Sequence, residues 1–324
     1  MKKIVSSILI VVVVLILAVA GYVKFFLPKV DAAPDLKVIA TPQRIAHGEY
    51  LANHVTVCID CHSTRNWNKF SGPILKNTLG KGGEYFGKEV GMPGKIYSKN
   101  ITPYHLKDWT DGEIFRTITT GVNKKGEALF PIMPYPYYGK MDKEDILDII
   151  AYIRSLAPLT SEQPSHELDF PMNFIINTIP KNAQLVTKPP KTDRVKYGGY
   201  LVNAAGCAEC HTPVKKGQII PELIFSGGRE FQFPYGVTLS ANITSDKETG
   251  IGNWSEADFI ERFKAYEDAN HLNDVKPSDS NTPMPWYMYA GMDSSDLSAI
   301  YHYLQTTKPI GHKVNHFTMK GKKE

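Results

Sequence analysis

The stretch Cys58-Ile59-Asp60-Cys61-His62, "CIDCH", returns far along the chain as Cys207-Ala208-Glu209-Cys210-His211, "CAECH". The 324 residues include four cysteines, and these two pentapeptides hold all of them. Their surroundings repeat as well. "GEYLANHVTVCIDCH" is echoed by "GGYLVNAAGCAECH", with one residue fewer before the first cysteine, "GGEYF" at 82–86 by "GGREF" at 227–231, and "YSKNIT" at 97–102 by "LSANIT" at 239–244. Further on, the halves run in step at an offset of 151: Met133 with Met284, Tyr135 with Trp286, Met141 with Met292, Asp142 with Asp293, Ile146 with Leu297, Pro158 with Pro309. Two units at this spacing are a duplicated module, not a solenoid.

Several chemistries use paired cysteines. A disulfide framework needs no histidine after each pair, and four cysteines would hardly staple a chain this long. Zinc sites built from C-x-x-C pairs keep them closer than the 149 positions between Cys58 and Cys207. A thioredoxin-like pair belongs beside a βαβ pattern, which is missing here. C-x-x-C-H is instead the attachment signal for c-type haem. Two thiols about one helical turn apart can each add to a vinyl group, and the histidine that follows faces the iron. The expected cofactors are therefore two covalently attached haem c groups, held by Cys58, Cys61 and His62 and by Cys207, Cys210 and His211.

Each iron keeps one further position. A methionine thioether there makes an electron carrier and raises the potential, whereas an empty position makes a reactive haem. Among the nine methionines, two pairs recur at the repeat offset, Met133 with Met284 and Met141 with Met292. Met141 directly precedes Asp142, the expected N-cap of a helix, and is placed to staple onto Ile146; Met292 and Leu297 match them. Met133 and Met284 lie in the Pro-flanked loops "FPIMPYPYY" and "TPMPWYMY". A rigid loop carrying a soft sulfur suits an iron ligand, so the expected metal ligands are His62 with Met133 and His211 with Met284, Met288 being the local rival. His54 has no counterpart in "NAAGC", His302 lies in a helical pattern, and His47, His105, His166, His271, His312 and His316 do not recur. The repeated Asn-Ile-Thr at 100–102 and 242–244 matches a glycosylation sequon, but its recurrence favours a structural role.

Helix signals fit this organisation. Thr110 to Glu113 is a capping box and Ser255 to Asp258 a weaker one. Ile146, Ile149, Ile150 and Ile153 have helical spacing, repeated by Leu297, Ile300, Tyr301 and Leu304. Strand-like alternation is scarce. The expected fold is mainly α: two small, tandem helical domains with long loops, preceded by an N-terminal transmembrane helix. The expected boundaries are 1–27 membrane anchor or signal segment, 28–43 linker, 44–158 first domain, 159–193 connector, 194–310 second domain and 311–324 basic tail. Ile4 to Val23 is uncharged for 20 residues behind Lys2 and Lys3, long enough to span a bilayer and oriented with the rest outside. Ala18-Val19-Ala20 also has the form of a cleavage site. The connector's "FPMNFIINTIP" at 170–180 is too apolar for a free linker and is expected against a domain or the membrane surface. A net charge of +4 without a basic run gives no nucleic-acid signature.

The chain resembles the diheme and triheme cytochrome c subunits of membrane-bound bacterial alcohol and gluconate-type dehydrogenases. The resemblance rests on the haem-site motifs above together with "IYSKNITP", "DWTDGEIFRTITTGV", "LFPIMPYPYYGKM" and "DILDIIAYIRSL", across most of residues 45–310. It implies that the two helical units are tandem class I cytochrome c domains, with His/Met-ligated covalent haem and electron transfer at the outer face of the cytoplasmic membrane. The chain departs from the alcohol dehydrogenase subunit in having two haem motifs and its anchor at the N-terminus. The function expected is electron carriage from a periplasmic or membrane dehydrogenase to a cytochrome, an oxidase or a quinone, with no catalysis of its own. The protein is expected at the inner membrane on a single-pass anchor, its haem domains in the periplasm. A diheme peroxidase with one open haem and an anchored diheme subunit of a haem-copper oxidase are the competing readings.

Overall fold

The computed structural model describes residues 1–233, 236–268, 272–276 and 279–319. His271 and the basic cluster Lys320, Lys322 and Lys323 lie outside the described residues.

The uncharged N-terminal run forms α1 (Lys2–Phe26), with a mean hydropathy of 3.1 and no buried residue. It is long and apolar enough to cross a bilayer. An extended stretch leads to α2 (Pro42–Tyr50), capped by Thr41 Oγ1 accepting from Arg44 N and started by a proline at the first position. The first pentapeptide makes a single turn, α3 (Cys58–Cys61). Strands β1 (Tyr85–Phe86) and β2 (Gly94–Tyr97) follow, then α4 (Pro103–Leu106), α5 (Asp111–Thr120), α6 (Tyr135–Tyr138) and α7 (Lys143–Ser155). The expected capping box opens α5, with Thr110 Oγ1 accepting from Glu113 N and Glu113 Oε2 from Thr110 N. Asp142 caps α7 through Glu144 N.

The connector carries β3 (Glu167–Leu168) and α8 (Met172–Ile175). β3 returns to pair with β2. α8 and the 3-10 turn after it lie beside the end of α1, where Asn177 Nδ2 is 3.5 Å from the Val23 carbonyl. Phe170, next to them, is 80% exposed.

The second half repeats the plan with α9 (Arg194–Ala204), α10 (Cys207–Cys210), the short hairpin β4 (Val214–Lys215) and β5 (Gln218–Ile219), then β6 (Glu230–Phe233), β7 (Gly236–Leu239), α11 (Glu256–Lys264), α12 (Trp286–Ala290), α13 (Ser294–Gln305) and β8 (Phe317–Met319). Ser255 and Asp258 make a complete capping box on α11. Sheets β1-β2-β3 and β6-β7-β8 are both antiparallel, and in each the third strand comes from beyond the last helix. Strands of two to four residues are too short to display an alternating pattern, so the sequence underestimates them.

Glycine sets the main helix crossings. A Cβ on Gly48 would sit 1.8 Å from the Asp148 carbonyl oxygen, and one on Gly198 1.8 Å from that of Ala299. Thus α2 lies backbone-to-backbone on α7, and α9 on α13, at matching points. The buried side chains of both halves form one continuous apolar cluster, including Ile59, Met141, Ile146 and Ile150 from the first and Leu201, Met288, Met292 and Leu297 from the second.

Hydrogen bonds also cross between halves in reciprocal pairs. Tyr200 Oη donates to buried Asp145 Oδ2 at 2.5 Å and accepts from Asp142 N at 3.0 Å. Tyr50 Oη donates to buried Asp296 Oδ2 at 2.8 Å and accepts from Asp293 N at 3.1 Å. His54 Nδ1 donates to Met288 O at 2.7 Å, as Asn203 Nδ2 does to Tyr137 O at 3.0 Å.

Candidate haem sites

Each pentapeptide begins after a residue in left-handed conformation, Val57 (φ 46°) or Gly206 (φ 63°). One helical turn later, His62 N bonds Cys58 O and His211 N bonds Cys207 O, both at 2.9 Å. Both histidine carbonyls accept from a glycine, Gly82 N or Gly227 N, at 2.8 Å. Both imidazoles donate Nδ1–H to a backbone carbonyl, His62 to Lys99 O at 2.7 Å and His211 to Ala241 O at 2.8 Å. This bond fixes the tautomer and leaves the Nε2 lone pair free for a metal. Burial pulls both imidazoles below the usual histidine range, which keeps them neutral.

Lys99 and Ala241 each precede an Asn-Ile-Thr. Asn100 Oδ1 accepts from Thr102 N and Oγ1 at 2.9 and 2.7 Å, and Asn242 Oδ1 from Thr244 N and Oγ1 at 3.0 and 2.7 Å. Their amides hold the chain leaving the last helix, at Leu159 O and Ile310 O. Both asparagines are buried. The repeated triplet is a strut behind the histidine.

All four thiols are unpaired. Burial pushes the thiols of Cys61 and Cys207 up to about 12, so they stay protonated.

Met133 and Met284 occupy matching loops, each partly buried against the core. Met133 O accepts from Tyr135 N at 2.7 Å and Met284 O from Trp286 N at 2.8 Å. Both loops run directly into a short helix tied back to its pentapeptide. Tyr138 Oη donates to Thr56 O at 2.8 Å and Tyr289 Oη to Ala205 O at 2.9 Å, each two residues before the first cysteine. Met141 and Met292 are fully buried in the apolar core with Ile146 and Leu297. Met288 is buried on α12.

The donors at hand are neutral imidazoles with a free Nε2, soft thioethers and two thiols per site, a set suited to iron in a covalently held porphyrin. A further polar group lies beside the first methionine loop: Tyr135 Oη is buried with no hydrogen-bond partner among the described residues. Haem carries acidic groups that a phenol can donate to.

The surroundings of the two pentapeptides differ. Asp60 is buried and lies 3.1 Å from the Arg65 guanidinium; burial pushes its carboxyl up to about 6 in spite of that arginine. Glu209 is more open and pairs with Arg229 at 2.6 Å.

Sequence reasoning missed Tyr138, Tyr289 and the carbonyls of Lys99 and Ala241. The tyrosines were detectable at the repeat offset; backbone acceptors carry no side-chain signature. Other histidines have structural partners: His47 lies 2.8 Å from Asp148, His302 3.2 Å from Glu256, and His312 Nδ1 3.0 Å from Ser226 O.

A family model for cytochrome c matches residues 195–308. A cytochrome c domain is present in this chain. Most of the chain is also similar to cytochrome subunits of dehydrogenases. It is 27% identical over 237 residues to the cytochrome c subunit of alcohol dehydrogenase (quinone) from Gluconobacter oxydans, covering 68% of this chain and 46% of that protein. It is 28% identical over 294 residues to the fructose dehydrogenase cytochrome subunit of Gluconobacter japonicus, covering 86% and 56%. It is 26% identical over 279 residues to the gluconate 2-dehydrogenase cytochrome c subunit of Pantoea cypripedii, covering 81% and 59%. The chain thus spans about half the length of the curated relatives it matches. The similarity is to cytochrome subunits of alcohol, fructose and gluconate dehydrogenases, the group that the sequence motifs resemble.

Proposed function

We propose that the chain is a diheme c-type cytochrome that relays electrons from a periplasmic or membrane dehydrogenase to a respiratory acceptor: a cytochrome, an oxidase or a quinone. Cys58 and Cys61 would hold one haem through thioether bonds and Cys207 and Cys210 the other. His62 with Met133, and His211 with Met284, would ligate the two irons. Held in this way, haem c supplies a one-electron iron couple.

The observation that carries the reading is the duplicated environment of the two histidines. Each is neutral and anchored at Nδ1 by a carbonyl at a matching position, and each has a methionine loop whose helix is tied to the residue two before its first cysteine. The Nδ1 bonds hold the imidazole planes and raise the basicity of Nε2. The methionine sulfur favours the reduced metal and so raises the potential. A ligand loop in both halves argues against a peroxidase, which needs one open iron.

Similarity to cytochrome subunits of alcohol, fructose and gluconate dehydrogenases favours a sugar, sugar-acid or alcohol dehydrogenase as electron donor. Helix α1 would anchor the protein in the inner membrane with both haem units in the periplasm, the orientation that Lys2 and Lys3 at its start favour. Intact mass together with a pyridine haemochrome assay tests the central statement. Two haems per chain are expected, and one or none would overturn it.

A further inference from the structure

One loop of the first half is built into the methionine loop of the second. From His62 to Gly82 the chain runs 20 residues, where His211 to Gly227 takes 16. The longer loop folds around buried Arg65, which reaches Gly72 O through Nε at 2.9 Å and Ser71 O through Nη2 at 2.7 Å. The same guanidinium faces Asp60 of the first pentapeptide at 3.1 Å and lies 4.0 Å over the Trp67 ring. Ser71, at the tip, is wholly buried with φ 65°.

Among the described residues, every hydrogen bond that Ser71 makes across the interface is to the loop of Met284. Its N–H donates to Asn281 Oδ1 at 2.9 Å. Its hydroxyl donates to Met284 O at 2.5 Å and accepts from Trp286 N at 3.1 Å, bridging both sides of Pro285. Close by, Ile74 N donates to Tyr287 Oη at 2.9 Å. Both methionine loops are tied within their own segments, Met133 N to Phe130 O and Met133 O to Tyr135 N, Met284 N to Thr282 Oγ1 and Met284 O to Trp286 N. Ser71 adds to the second loop a hold from the other half, in a dry setting where a hydrogen bond is strong and its loss is costly.

We infer that Ser71 is a positioning residue for Met284, so that the first half sets how firmly the second site keeps its sixth ligand. The inference rests on the proposed role of Met284. The two sites are then unequal by construction: Met133 is held by bonds of its own segment, whereas Met284 has in addition a strut running from Asp60 through Arg65 to Ser71.

The test uses the full chain, loaded with haem and purified in detergent, with Ser71→Gly as the principal variant. Glycine accepts a φ of 65° without strain, so the fold and haem count are kept while the hydroxyl is lost. One of the two reduction midpoints should fall; a roughly tenfold weaker preference for the reduced state moves a one-electron midpoint by about 59 mV. Carbon monoxide should also bind one ferrous haem per chain more readily than in the parent. Met284→Ala should move the same haem further, and Ser71→Asn, which tolerates this backbone and keeps a polar group, should recover part of the loss. If Met284→Ala changes both readouts and Ser71→Gly changes neither, Ser71 is not a positioning residue. A shift of the haem that responds to Met133→Ala would equally overturn the assignment. An unchanged Met284→Ala protein would remove the ligand role on which the inference stands.

Discussion

At the residue scale the repeated methionines separate by surroundings. Met141 and Met292 are sealed in aliphatic core, while Met133 and Met284 are only partly buried in loops. Met133→Ala should therefore lower one midpoint and admit carbon monoxide to one haem, with stability little changed. Met141→Ala should leave both midpoints in place and destabilise the fold by roughly 2–5 kcal/mol, the usual cost of emptying a buried site of this size. Redox titration with denaturant unfolding separates the two outcomes, and a midpoint shift in the Met141 variant would reverse the roles. Replacing Cys58 and Cys61 together by alanine should leave one haem by intact mass. These residues were legible in the sequence because chemistry restricts their types and the duplication states each twice. Ser71 was not legible: it lies in a stretch present in one half only, and its partners, the Asn281 side chain and the backbone of Met284 and Trp286, lie some 210 positions away.

At the scale of single elements, the helices were readable and the strands were not. Capping boxes at Thr110 and Ser255 and the apolar spacing of α7 and α13 are local signals. The strands take their identity from partners far along the chain, as Gly94 pairs with Leu168 and Val237 with Thr318. The helix crossings give a sharp prediction. Gly198→Ala would drive a methyl group into the Ala299 carbonyl, 1.8 Å away, so α9 and α13 must separate. Overpacking of this kind costs about 1–3 kcal/mol or more, and the denaturant midpoint should fall accordingly; a midpoint equal to the parent's would show that the crossing yields freely.

The sheet edge adds a pH dependence. His166 Nδ1 accepts from Tyr97 N at 3.3 Å and must be unprotonated to do so. Burial, helped by Lys99, pulls this imidazole from 6.5 down to about 4. The unfolded chain therefore binds the proton more readily, and stability rises with pH in that window. The contribution is complete above pH 6.5 and is lost as the pH falls towards about 4. Urea midpoints compared at both ends of this range should drop less in His166→Gln than in the parent.

At the scale of the whole molecule, the sequence displays two modules, whereas the structure shows how they are joined. The duplication carried both ends of the clasp, since Tyr50 recurs as Tyr200 and Asp145 as Asp296. A repeat cannot say that each tyrosine serves the other half's aspartate. Both carboxylates are buried, and each is completed by a lysine, Lys188 Nζ on Asp145 at 2.5 Å and Lys191 Nζ on Asp296 at 2.8 Å. Both phenols are held well above the usual tyrosine range, by burial first and then by the facing carboxylate, so each stays a hydrogen donor. Tyr50→Phe removes one donor and leaves Asp296 with Tyr197 at 3.2 Å and Lys191; Tyr200→Phe leaves Asp145 chiefly with Lys188. Each change should cost about 1–3 kcal/mol, the penalty for a buried acceptor losing its partner. Because one apolar cluster runs through both halves, the parent should unfold in one cooperative step. With both tyrosines replaced, the halves keep the apolar contact and the bonds of His54, Asn203 and Ser71 but lose the buried clasp, and haem absorbance and far-ultraviolet dichroism should then report separate transitions. Coincident transitions in the double variant would mean that these remaining contacts suffice to bind the modules into one folding unit.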